Sequence, residues 1–160
     1  NPMAGWKVLV DCLRDGGLMK IGLYSEIARQ KHAAIRAEIY KLGIKHTEKE
    51  IKSFRKDLIS SNIQHHMEIK LRQDFYSLSN FRDLLFNVQE HRFTISQLKQ
   101  SLEELGLKFC GFENDSIVQK FKVSNTGSND PYDLDKWQGY EEANPRTFAS
   151  MYQFWCQKIG

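Results

Sequence analysis

Between Asp15 and Ser25 the chain reads Asp-Gly-Gly-Leu-Met-Lys-Ile-Gly-Leu-Tyr-Ser, a paired-glycine turn feeding a short apolar segment that ends in polar residues. The amphipathic run of residues 5–14 stands directly before it. Glycine tolerates the left-handed backbone that ends a helix, and a short apolar run bounded by turn residues reads as a buried strand. Helix, glycine stop and strand in that order are half of an α/β unit, whose strand normally has partner strands before it. Because the sequence opens at Asn1-Pro2, the expectation is the back half of a doubly wound domain.

A length of 160 residues suits one domain, and 41% hydrophobic content with 12% aromatics is enough to build a core. No apolar run approaches the roughly 18 residues of a transmembrane helix, and the N-terminus lacks the three regions of a signal peptide. The expected protein is soluble and cytoplasmic, with no membrane partner. Cys12, Cys110 and Cys156 form no CxxC pair and all lie in apolar runs, which predicts reduced, buried thiols. A net charge of +3, with both signs interleaved, does not make a nucleic-acid footprint.

The pattern predicts an α+β chain with a three-stranded mixed sheet and a large helical insertion. The strands are residues 18–24, 107–113 and 151–158. The last, being the most aromatic, is expected to be central, antiparallel and buried on both faces. Ser25 can cap a helix with apolar positions Ile27, Ala28, Ala34, Ile35, Ile39 and Leu42, stopped by Gly43. Thr47-x-x-Glu50 and Thr94-x-x-Gln97 read as capping boxes, and Gly106 as a second helix stop. Residues 65–79 fit either a helical extension or a loop. Ser79 or Asn80 is expected to open a helix through Phe81, Leu84, Leu85 and Val88. The connection over residues 25–93 is too long for a plain crossover, so it reads as an inserted lid over the carboxyl ends of the strands.

Tyr24, Ser25, Glu26 and Arg29 fall at that carboxyl end, where they suit substrate contact or, alternatively, a helix cap with solvated charges. Gln89-Glu90-His91-Arg92 packs four polar residues where a plain linker uses Gly, Pro or Ser. A carboxylate beside an imidazole suits acid/base work or the grip of a polar substrate, and the alternative is a helix terminus with His91 favourable to the dipole. The substrate-binding candidates are therefore Tyr24, Ser25, Arg29, Glu90, His91 and Arg92, with no residue assigned to catalysis. His65-His66, His32 and His46 show no metal-ligand spacing, and no metal is expected. Trp6, Trp137, Trp155, Phe148 and Phe154 read as core.

Residues 5–17 followed by 18–25, then Ile21-Gly22-Leu23-Tyr24-Ser25-Glu26-x-Ala28-Arg29, residues 82–94, and Asn144-Pro145-x-Thr147-Phe148 leading to Met151-Tyr152-Gln153-Phe154-Trp155 carry a resemblance. The chain is similar to the C-terminal part of class I S-adenosylmethionine-dependent methyltransferases, in a bacterial branch often fused to tetratricopeptide repeats. The resemblance implies a single domain over residues 1–160, with residues 25–93 as the lid. Residues 107–113 become the sixth strand of that fold, and 151–158 the reversed seventh, slotted between the fifth and sixth. It also implies a glycine-rich turn after a first strand for the methionine end of the cofactor, and an acidic residue after a second strand for its ribose. Neither is present here, and Gly16-Gly17 has the opposite element order. The chain alone is thus expected to bind no cofactor, and S-adenosylmethionine only when joined to the missing half, in which case Tyr24, Arg29, Glu90 and His91 would line one cleft. The edge of strand 18–24 would be left bare, to be covered by a homodimer or by residues 6–13 folding across it. The alternative function is a non-enzymatic helical module for protein interaction.

Overall fold

A computed structural model describes residues 1–87 and 90–160, apart from the side chain of Lys31. Val88 and Gln89, both named in the sequence reading, lie outside the described residues. In chain order the elements are α1 (Pro2–Asp11), β1 (Leu18–Ser25), α2 (Glu26–Lys41), α3 (Glu48–Ser60), α4 (Gln64–Ile69), a 3-10 turn (Gln73–Phe75), α5 (Leu78–Phe86), β2 (Arg92–Phe93), α6 (Ile95–Glu104), β3 (Leu107–Phe112), α7 (Asp115–Ser124), a second 3-10 turn (Asp130–Tyr132), α8 (Leu134–Ala143) and β4 (Tyr152–Lys158). The chain divides into a sheet unit, Asn1–Ala28 with His91–Gly160, and a helical unit, Arg29–Glu90. No helix among the described residues is long and apolar enough to cross a membrane.

The class is α+β, but the sheet of the sheet unit has four strands rather than three, in the order β2-β1-β4-β3. β4 runs antiparallel to both β1 and β3, as the aromatic last segment predicted. The strand that sequence patterning missed is β2, only two residues long, which pairs parallel to β1 at Tyr24 and Ser25. Two residues cannot display an alternation. The bare-edge expectation is corrected accordingly: the carboxyl end of β1 is paired.

The paired glycines close the other end. Gly16 takes φ +74°, and its N–H donates to the Lys158 carbonyl at 3.0 Å while Lys158 N–H donates to the Gly17 carbonyl at 2.9 Å. A Cβ on Gly17 would sit 2.7 Å from the Arg14 carbonyl oxygen. The turn therefore anchors the first rung of the β1–β4 ladder, and only glycine fits at position 17, where the turn folds back this closely on Arg14.

β4 is central, yet only one of its faces is buried. Tyr152, Phe154 and Cys156 are buried while Gln153 and Trp155 are exposed. Tyr152, Phe154 and Cys156 share one core with Trp6 and Val10 of α1, Leu98 and Leu102 of α6, Phe109 and Phe112 of β3, Phe121 of α7 and Trp137 of α8. Trp155, on the opposite face at 39% exposure, is not the core residue that its composition suggested. The cysteines are free but differ in burial: Cys156 is buried, Cys110 half-buried and Cys12 exposed just past the end of α1, so only one of them is the expected core thiol. Burial pushes the Cys156 thiol up to about 11.

The helix signals hold with local corrections. Thr94 and Gln97 form a complete capping box. Thr47 caps α3 through the Glu50 N–H at 3.4 Å, but the Glu50 carboxylate accepts from the N–H of Lys45 instead of reaching back to Thr47. α5 starts earlier than expected, capped by Ser77 rather than Ser79 or Asn80. Residues 65–79 are neither a pure extension nor a loop, since α4 and a 3-10 turn share them. In the helical unit Ile35, Ile39, Ile51, Phe54, Leu58, Ile69, Phe75 and Phe81 form a separate buried cluster.

Candidate functional site

In the sheet unit, Ser25 is the last residue of β1 and is 1% exposed. Its hydroxyl accepts from the Ala28 N–H at 3.0 Å, which caps α2, and donates to Glu141 Oε1 at 2.6 Å. The Tyr152 hydroxyl donates to the other Glu141 oxygen at 2.7 Å. One buried carboxylate thereby ties together the end of β1, α8 and the start of β4. Burial holds Glu141 above the usual carboxylate range despite these two donors, and burial followed by the Glu141 contact pushes the Tyr152 phenol up. The Ser25 hydroxyl is committed to this network, an arrangement that suits positioning rather than attack.

Around that network the other sequence candidates are placed differently. Tyr24 is half-buried beside Arg92 in the β1–β2 register. Arg92 Nε lies 3.3 Å from Glu26 Oε2 in a partly exposed ion pair. His91 is exposed.

Arg29 and Glu90, the remaining two, meet inside the helical unit. Arg29 Nε stands 3.9 Å from Glu90 Oε2, both side chains being almost fully buried. Arg36 Nη2 donates to the same oxygen at 2.9 Å and to the Leu84 carbonyl at 2.7 Å. Glu90 Oε1 is buried with no hydrogen-bond partner among the described residues. Arg29 Nη1 lies 3.3 Å from His32 Nδ1, and because a guanidinium only donates, Nδ1 must be the acceptor. Burial first, then Arg29, Arg72 and Arg36, hold the His32 imidazole down at about 3. The cluster is thus a neutral imidazole and several guanidiniums gathered around one carboxylate, chemistry suited to gripping a polar or anionic group.

Sequence reading missed His32, Arg36 and Glu141 as members of these networks, although their spacing carries the signal. Arg29, His32 and Arg36 recur at i, i+3 and i+7 on one helix face, and Glu141 falls at i+7 from Leu134 and i+4 from Trp137, on the apolar stripe of α8. A charge on an apolar stripe must have a buried partner. A third group, Glu38 with His65 and His66, brings three potential ligand atoms within 4.8 Å of one another. No protein-family model matches this chain, and no curated protein matches it at a significant level.

Proposed function

We propose that these residues are the C-terminal sheet and substrate-side lid of a cytoplasmic methyltransferase-like protein. The observation that carries the reading is β4, which runs antiparallel between β1 and β3. In the methyltransferases that the sequence resembles, the last strand is reversed and slotted between its two predecessors in this way. The helical unit then serves as the lid, and the Arg29–Arg36–Glu90 cluster as its polar grip, with Glu90 Oε1 as an acceptor still to be used.

On this reading S-adenosylmethionine is held by a glycine-rich turn and an acidic residue outside these 160 residues. Calorimetric titration of the 160-residue chain with micromolar S-adenosylmethionine is expected to give no saturable heat, while the chain joined to a glycine-rich methyltransferase half binds. Tight binding by the 160 residues alone overturns the reading.

The free stretch of the β1 edge, residues 18–23, is proposed to pair with its counterpart in a second copy. Light scattering behind a sizing column is expected to give twice the chain mass, and a strictly monomeric mass at high concentration rejects the dimer.

A second reading, a helical module for protein interaction, is favoured by the exposed apolar side chains of the helical unit. Tyr40, Leu71 and Tyr76 are 89%, 81% and 72% exposed. Partner binding by the 160 residues that is indifferent to methyl donor would favour it over the first.

A further inference from the structure

Glu38 projects from α2, and the consecutive residues His65 and His66 from α4, onto one spot of the helical unit. His65 Nε2 lies 2.5 Å from Glu38 Oε1, and His66 Nε2 lies 2.7 Å from Glu38 Oε2. We propose that these three side chains form a binding site for a divalent transition-metal ion, with zinc as the ion that fits best. Two imidazole nitrogens and one carboxylate are a donor set that zinc accepts, with the fourth position left to water. The proposal concerns the helical unit alone and does not depend on the methyltransferase reading.

Three features go beyond the proximity of the ligand atoms. The first is an outer partner: His66 Nδ1 lies 2.8 Å from Ser61 Oγ. With Nε2–H donating to Glu38, the Ser61 hydroxyl donates to Nδ1, and it can turn to accept from Nδ1–H once an ion takes the Nε2 lone pair, which is the outer contact characteristic of metal-bound histidines. Without an ion the His66 Nε2–H donates to the Glu38 carboxylate at 2.7 Å, so metal binding releases that proton and exchanges the hydrogen bond for coordination by both groups.

The second feature is anchorage. Ile35 and Ile39 flank Glu38 on α2, and Ile69 follows His66 by three residues on α4; all three are buried in the same core. The ligands therefore sit on braced helices rather than on a loop. Tetrahedral zinc needs its donor atoms about 3.3 Å apart, so the two Glu38–histidine contacts, at 2.5 and 2.7 Å, have to open, while all three ligand atoms already lie within 4.8 Å of one another.

The third feature is access. The Glu38 and His65 side chains are 31% and 28% exposed, whereas His66 is 8% exposed. An ion can enter from solvent and still leave one side open to water. Residue spacing hides the site because Glu38 lies 27 residues before His65.

The test is titration of the chelator-treated 160-residue chain with zinc by calorimetry, and with cobalt(II) by visible absorption, together with imidazole NMR. The expected result is one ion per chain, with the His65 and His66 ring signals shifting while those of His32, His46 and His91 stay in place. His66→Ala should weaken binding at least 100-fold and Ser61→Ala roughly tenfold. If His66→Ala loses helix by circular dichroism, Glu38→Gln, which retains a hydrogen-bonding side chain, and the wild-type ring shifts decide instead. Absence of saturable binding overturns the proposal. So does undiminished binding by the His65→Ala/His66→Ala double variant, or a shift confined to other histidines.

Discussion

Replacing Trp137 with alanine is expected to destabilise the sheet unit by about 3–5 kcal/mol, the range for emptying a large aromatic site in a packed core. The indole is fully buried, stacked on Phe121 at 3.8 Å and met edge-on by Phe112 at 4.9 Å, and its N–H donates to the Pro131 carbonyl at 3.0 Å. The substitution removes these ring contacts and leaves the carbonyl to find water. Against a typical total of roughly 5–15 kcal/mol the loss is large. Trp155→Ala is the control, since the same residue type on the open face of β4 should cost less than about 1 kcal/mol. Urea denaturation of the two variants measures the difference, and equal losses would contradict the one-sided core.

Acid is expected to destabilise the helical unit before ordinary carboxylate titration begins. His32 has a folded pKa near 3 against an unfolded value of about 6.5, so its contribution to stability is complete above pH 6.5 and is lost as pH falls toward 3. By pH 4.5 the loss amounts to about 2–3 kcal/mol, on the order of 1.4 for each pH unit. His32→Asn keeps an acceptor for Arg29 but cannot charge, and should flatten the acid limb. Glu141 acts in the opposite sense in the sheet unit. Its folded pKa is raised, so its contribution is fully present below the ordinary carboxyl range and is lost as pH rises through the folded value. Trp6, Trp137 and Trp155 all belong to the sheet unit, so tryptophan fluorescence reports that unit alone. Between pH 6.5 and 4, the urea midpoint followed by helical circular dichroism should fall more than the midpoint followed by fluorescence, and equal shifts in wild type and His32→Asn would refute the assignment.

How much of this was legible in the chain depends on the range of the interaction. The strands at 18–25, 107–112 and 152–158, the cap at Ser25 and the Thr94–Gln97 box were readable because each is written within a few residues. β2 was not, because Arg92 and Phe93 are a strand only by virtue of lying beside Tyr24 and Ser25. The burial of β4 was overread, since an aromatic alternating strand in a middle position looks alike whether one face or both are covered. Candidate residues followed the same rule. Glu90 and Arg29 each stand out as polar residues near a strand or helix end, and they meet as an ion pair, whereas Glu141 does not stand out because its partners Ser25 and Tyr152 are remote or unremarkable in sequence.

The register shift in β3 between Phe109 and Gly111 bears on how the sheet behaves at high concentration. β3 is the outermost strand on its side, and a bulge there breaks the even spacing of N–H and C=O groups that an incoming chain would need to copy. Lys108 adds an exposed side chain that an added strand would have to accommodate. The bulge and Lys108 therefore make the β3 side a poor template for an added strand, which protects this edge of the sheet against aggregation by strand addition.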